Sequence, residues 1–173
     1  LEKHRIPIDE TTSELLLRKL QEINTNNEAL YQISDTLVKT YNPEHVVGGT
    51  KNKVLMTTLI AKRLELSKES IDKLKIATLL YDIGNTMLPK ELLGKKDPLT
   101  EEERLSIKQH PILAAREILE PISSVNDIIP IIEKHHENWN GTGYPNKISG
   151  ENIPIESQII LIVDSYFEIK EKR

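Results

Sequence analysis

The sequence predicts an all-α domain, and three observations predict it. Only 7 of its 173 residues are glycine. Apolar residues recur mostly at intervals of three and four, the spacing that lines one face of a helix. Residues 100–103, Thr-Glu-Glu-Glu, form a capping box, with acids at the positive end of the helix that follows. A chain of this length buries a sizeable single core.

Each element can be placed in order. Leu15, Leu16, Leu20 and Ile23 form one amphipathic stripe with Ser13 as its N-cap. Leu30, Ile33, Leu37, Val38 and Tyr41 form a second. Residues 1–42 therefore read as two accessory or linker helices, which either dock on the domain, lead to an upstream domain, or make the seam of a homodimer. Residues 43–173 read as the domain itself. Pro43 suits a first helical turn, and the run it opens reaches about Leu64, weakened early by Gly48-Gly49. Ser67 opens the next helix, through Ile71, Leu74, Ala77 and Leu80. Gly84, Pro89, Gly94 and Pro98 make residues 83–99 a loop with at most a short helix. The capped helix runs from Thr100 toward His110-Pro111, and Pro111 begins another that reaches Leu119. Ser124 or Pro130 starts the next, which ends near His136. Residues 138–153 are turn-rich. The last helix begins near Pro154 and carries Ile155, Ile159, Ile160, Ile162, Val163 and Phe167.

The totals exclude several classes of function. A net charge of −4, from 23 basic and 27 acidic residues, is no footprint of a nucleic-acid binder, although a local basic pocket for a small anion stays compatible with it. Cysteine is absent, so disulfides and thiolate metal sites are excluded. Any metal must sit on His, Asp or Glu, which favours iron(II), manganese or magnesium. The longest apolar run, Ile159 to Val163, is far too short to span a bilayer, and no signal peptide is visible, so the expected location is cytoplasmic. The chain opens on Leu1 rather than Met and stops at Arg173; it reads as a piece of a longer protein with further domains.

Five residues could carry chemistry. His110, His135 and His136 lie at helix ends beside helix breakers. Asp82 follows the apolar Leu79-Leu80-Tyr81, and Asp164 interrupts the apolar stretch from Ile159 to Phe167. An ionised carboxylate in a core is costly unless it is paired or ligates a metal. Each residue also has a plainer role. A histidine at a helix end can cap a carbonyl. Asp82 can cap its turn, and Asp164 can reach solvent at the edge of its helix. Neighbours on an ideal helix point about 100° apart, so His135 and His136 reach one ion only at a fraying end, or else face two sites. Trp139 and Tyr144 read as packing aromatics rather than a stacking face.

Residues 135–145, His-His-Glu-Asn-Trp-Asn-Gly-Thr-Gly-Tyr-Pro, resemble the HHE-x-x-DGxGYP signature of HD-GYP domains, with Asn140 at the usual Asp. The likeness extends to Tyr81-Asp82-Ile83-Gly84-Asn85, which stands where the family has HD-x-GK. It also covers Leu99 to Glu103, His110-Pro111, Glu151, Ile153-Pro154 and Asp164. The family is a branch of the HD superfamily of metal-dependent phosphohydrolases, so the resemblance implies an HD-superfamily helical bundle. Its active members hold two or three metals, often iron or manganese, and cleave cyclic di-GMP to pGpG or GMP.

The resemblance also implies which ligands this chain keeps. Asp82, His110, His135, His136 and Asp164 fall at metal-ligand positions. The family's first Glu and first His fall at Val46 and Thr50, the His of the HD pair at Tyr81, and its Lys at Asn85. Both His of the basic two-His, two-Asp site are thereby lost, whereas the additional site of Asp82, His110, His135 and His136 keeps its set. At most one divalent metal, iron or manganese, or none, is expected, with little or no turnover. The implied function is a degenerate, non-catalytic regulatory module in bacterial cyclic di-GMP signalling, binding either the nucleotide or a partner such as a diguanylate cyclase domain through Gly143, Tyr144 and Pro145. The alternative is an active metal-dependent phosphodiesterase. Arg173 falls at a family Arg and is a candidate nucleotide contact.

Overall fold

The computed structural model describes residues 49–171. The two N-terminal stripes, Val46 and Arg173 lie outside the described residues. Those described are helical and carry no strand, as an all-α reading requires. Two long helices start the domain: α1 spans Gly49–Arg63 and α2 spans Lys68–Leu80. The Ser67 hydroxyl caps α2 by accepting from the Ser70 amide at 3.1 Å. A 3₁₀ turn, Ile83–Met87, and the short α3, Lys90–Leu93, occupy the segment read as loop.

Helix α4, Glu101–Ile107, begins at the expected capping box. The Glu103 amide donates to the Thr100 hydroxyl at 3.2 Å, and the Thr100 amide donates to the Glu103 carboxylate at 2.8 Å. After a short turn α5, His110–Leu113, runs into a π-helical stretch, Ala114–Leu119. Pro111 sits in the first turn of α5, where its missing N–H costs nothing. A 3₁₀ segment, Ser123–Ile128, leads into α6, Ile129–Glu133, with Pro130 in its first turn. Helix α6 stops short of the expected end, and His135 and His136 follow it in a turn rather than on the helix. The last helix, α7, spans Ile155–Glu171.

Helix α1 packs on α2 and α7, and α2 packs on α6 and α7. The core joins Leu74, Ala77 and Leu80 of α2 to Ile131 and Ile132 of α6 and to Ile159 and Ile160 of α7. Buried hydroxyls stitch the helices together. Thr78 donates to the Leu74 carbonyl at 2.7 Å and lies 3.3 Å from the Thr57 hydroxyl on α1, while Ser157 donates to the Ile131 carbonyl at 2.8 Å. On α7 the buried face is Ile159, Ile160, Val163 and Asp164, so Ile155 and Ile162, counted with its apolar residues, are exposed. Among the described residues no helix is long and apolar enough to cross a membrane.

One close approach fixes the middle of the bundle. A Cβ on Gly84 would lie 1.9 Å from the His110 carbonyl oxygen and 2.8 Å from the Ala114 nitrogen. Only a glycine lets the turn after Asp82 press onto the start of α5. Gly84→Ala should therefore cost about 1–3 kcal/mol or more by overpacking against backbone, whereas Thr100→Ala should cost about 1 kcal/mol. Urea denaturation of both variants measures this, and a Gly84→Ala cost no larger than the cap's would show that the turn is not tightly seated.

Candidate metal centre

Three imidazoles meet beneath that turn. His110 and His135 are buried and His136 is half-buried. One nitrogen from each lies within 4.8 Å of the others. His110 Nδ1 donates to the Ile107 carbonyl at the end of α4, at 2.9 Å. His135 Nδ1 donates to the Ile132 carbonyl near the end of α6, at 2.6 Å. A carbonyl only accepts, so both Nδ1 atoms carry a proton, and on a neutral ring this leaves the Nε2 lone pair facing the cluster. Capping a carbonyl and ligating an ion are therefore compatible in one ring.

Those two Nε2 atoms lie 3.2 Å apart. Burial pushes the His135 imidazole well below its usual range, helped by the neighbouring His136 and His110. Burial likewise lowers His136 to about 4, with His110 adding to the shift and Asp164 opposing it. Two imidazole nitrogens this close share either a proton or a cation between them. Nitrogens bound to one ion at about 2.1 Å stand roughly 3.0–3.4 Å apart, so the observed spacing fits ligands to a single metal. Asp82 stands next to the cluster, its Oδ1 3.7 Å from His110 Nε2. Its side chain does not cap the turn; it accepts instead from Asn85 Nδ2 at 3.3 Å. Burial raises the Asp82 carboxyl, as does the charge of Asp164, while Lys53 and His110 pull it back.

Asp164 does not join the histidines. Buried on α7, it accepts from the Tyr81 hydroxyl at 2.5 Å and from Lys53 Nζ at 2.8 Å. Lys53 also donates to the Tyr81 oxygen at 2.6 Å. Thr50 is buried one turn before Lys53 on α1. Lys53 is the site residue that sequence reading missed; the available signal was a carboxylate at Asp164 that needed a cation.

The 135–145 segment folds back over the histidines. A Cβ on Gly143 would lie 2.3 Å from the Asn138 nitrogen and 2.5 Å from the His136 carbonyl oxygen. The Tyr144 amide donates to that same carbonyl at 3.2 Å. Its ring stacks on His136 with centroids 4.7 Å apart, and the Lys108 ammonium lies 5.5 Å from the ring centre. Asn140 keeps the turn: its Oδ1 accepts from the Thr142 amide at 3.1 Å and from the Thr142 hydroxyl at 2.6 Å. Glu137 is a second residue given no role beforehand. It is buried, and its Oε1 accepts from the amides of Asn146 and Lys147 at 2.5 and 3.0 Å. Trp139, read as a packing aromatic, is 62% exposed instead, because the turn that seats Gly143 leaves it on the outer side.

A helical bundle that gathers three imidazoles beside an aspartate defines an α-domain with a candidate metal-binding cluster. The family model for the HD domain matches residues 12–173, and the chain belongs to the HD-domain family, as an HD-GYP-type member. It is 36% identical over 112 residues to the cyclic di-GMP phosphodiesterase response regulator RpfG of Xanthomonas campestris pv. campestris, covering 62% of this chain and 29% of that protein. It is 34% identical over 125 residues to the cyclic di-GMP phosphodiesterase PdeB of Borreliella burgdorferi, covering 72% of this chain and 32% of that one. The chain thus spans about a third of the length of these curated relatives. Its fold is similar to that of Bd1817, a HDG"Y"P protein from Bdellovibrio bacteriovorus, with a TM-score of 0.64 at 18% identity, over 92% of this chain and 57% of that one.

The depressed His136 predicts a pH dependence with a definite sign. Between its unfolded value of 6.5 and its folded value of about 4 the unfolded chain binds the proton that the folded chain refuses. The stabilising contribution is therefore complete above that window and lost as pH falls through it. In chelator, the Tm should be flat near neutrality and fall continuously across the window, and His136→Asn should shallow the fall. An unchanged slope in the variant would show that His136 is not held neutral by the fold.

Proposed function

We propose that this chain is a regulatory HD-GYP-type domain in cyclic di-GMP signalling, holding one divalent metal ion and binding the nucleotide or a signalling partner with little or no hydrolysis. The carrying observation is the division of the site. Imidazole nitrogens converge on one side, at His110, His135 and His136 beside Asp82. On the other side Thr50 and Tyr81 supply no imidazole to accompany Asp164. Iron(II) or manganese suits this nitrogen and oxygen set.

Phosphodiester cleavage needs positive charge against the entering and leaving oxygens. A divalent ion at the histidines supplies some of that charge. Asn85 supplies none and is engaged with Asp82. Tyr81 is no easy proton donor or acceptor, since burial, then the charges of Asp82 and Asp164, push its hydroxyl well above the usual range. Tyr144 is raised in the same way, chiefly by burial. These features support binding over turnover. The exposed side of the Gly141–Pro145 turn, with Trp139 beside it, is the surface we assign to a partner, of which a diguanylate cyclase domain is the candidate.

The intact set around His135 and His136 favours one second reading, a phosphodiesterase that works with a single metal. Protein loaded with manganese or iron(II) and incubated with cyclic di-GMP separates the two. Chromatography should show no pGpG or GMP, while calorimetry shows nucleotide binding. Clear turnover that His136→Ala abolishes would establish the enzyme and overturn the regulatory reading. For the partner surface, Tyr144→Ala should weaken capture of a diguanylate cyclase domain about tenfold, the loss of ~1.4 kcal/mol. Unchanged capture would remove the loop from the interface.

A further inference from the structure

We infer that the Lys53 ammonium is a resident cation that takes the place of a metal ion at Asp164. Lys53 Nζ, the Tyr81 hydroxyl and Asp164 Oδ1 form a closed triangle with sides of 2.6, 2.5 and 2.8 Å. The side chains of Lys53 and Asp164 are only 14% and 9% exposed, so this is an interior pair and not a surface one. Within the triangle the ammonium donates to both oxygens, and the hydroxyl donates to the carboxylate. The pair closes a separation of 111 residues, joining α1 to α7.

The chemistry of the neighbours points the same way. A carboxylate this buried is costly unless it is paired, strongly hydrogen-bonded or bound to a metal, and Asp164 has the Lys53 ammonium at 2.8 Å. Imidazoles beside it would serve a metal ion, but the side chain that meets it from the end of α2 is Tyr81, and the residue one turn before Lys53 on α1 is Thr50. A phenol and a threonine hydroxyl are poor ligands for a divalent ion, whereas a phenol oxygen is a good acceptor for an ammonium. A metal at the histidines is accommodated alongside the ammonium, but a second ion at Asp164 is excluded by charge and by space.

This inference deepens the single-metal reading above, and the test keeps the two apart. Wild type, Lys53→Arg, Lys53→Met and the double variant Lys53→Met/Tyr81→His are stripped with chelator, dialysed against manganese(II), and assayed for bound metal by elemental analysis and for Tm with and without the ion. In wild type and Lys53→Arg no more than one ion should bind. Lys53→Met should lose Tm in chelator, as its buried carboxylate loses its partner. The double variant should bind one ion more than wild type and regain Tm when manganese is added. Two ions on wild type overturn the inference, as does a double variant with the wild-type count. A double variant that fails to fold in chelator but folds with manganese supports it. Should the double variant fold in neither medium, Lys53→Met decides: a Tm in chelator equal to that of wild type overturns the inference, and a lower one restored by manganese supports it. If wild type binds no ion while the double variant gains one, the resident cation stands and the histidine metal site fails.

Discussion

The constraint on which the site depends is that backbone must approach the histidine segments more closely than any side chain allows. Gly84 lies against the His110 carbonyl and Gly143 against the backbone of residues 136–138, at distances a Cβ would violate. The first approach brings Asp82 to His110. The second holds the turn from Asn140 to Pro145 across His136. Between these two clamps the imidazoles have little freedom, and the carbonyls of Ile107 and Ile132 fix the two buried rings by their Nδ1 protons. Orientation of that kind is what a ligand set requires, since a metal selects geometry as much as ligand type.

Much of this was legible in the sequence because it is local. The Thr100 capping box, the Ser67 cap and the prolines at 111 and 130 act within a turn or two of themselves, and each helix starts where its cap or proline says. The three-histidine grouping was legible through the eleven-residue signature, since composition alone left each ring free to be only a cap. What was not legible depends on distant chain. Lys53 meets Asp164 across the bundle, and nothing within a turn of Lys53 distinguishes it from a solvated lysine. Adjacent histidines reach one site only past a helix end, and which of the two arrangements holds depends on where α6 stops; it ends early, and in the turn that follows both rings reach His110. Trp139 was misplaced for a related reason. A large aromatic is usually buried, but here the tight seat of Gly143 sets the direction of the turn and leaves the indole outside.

The two halves of the site differ in kind. One gathers three imidazole nitrogens close enough to share an ion; the other contains an ammonium, in the side chain of Lys53, paired with Asp164. An ammonium neutralises a carboxylate well and brings its own chain with it, so nothing must be captured from solution. It accepts no ligand, however, and offers no open position to a phosphate or a water. Pairing Asp164 with a lysine and a tyrosine hydroxyl therefore ties α1 to α7 through a charge that belongs to the chain itself.

Glu137 extends this logic to the outer surface. One oxygen of its buried carboxylate accepts from the amides of Asn146 and Lys147, and the other, Oε2, has no hydrogen-bond partner among the described residues. A buried charge tolerates half its lone pairs being unmet only when the bonds it does make are strong, as charge-assisted bonds to two backbone donors are. Those bonds fasten the far end of the loop to the residue after His136, while the Tyr144 amide and ring fasten its near end to His136 itself. The loop and the histidine are consequently one mechanical unit, with an inner end facing the histidine cluster and an outer end bearing Trp139. A displacement of the outer end must move the ring of His136 or break its stacking with Tyr144, so the geometry couples the surface of this domain to its histidine cluster.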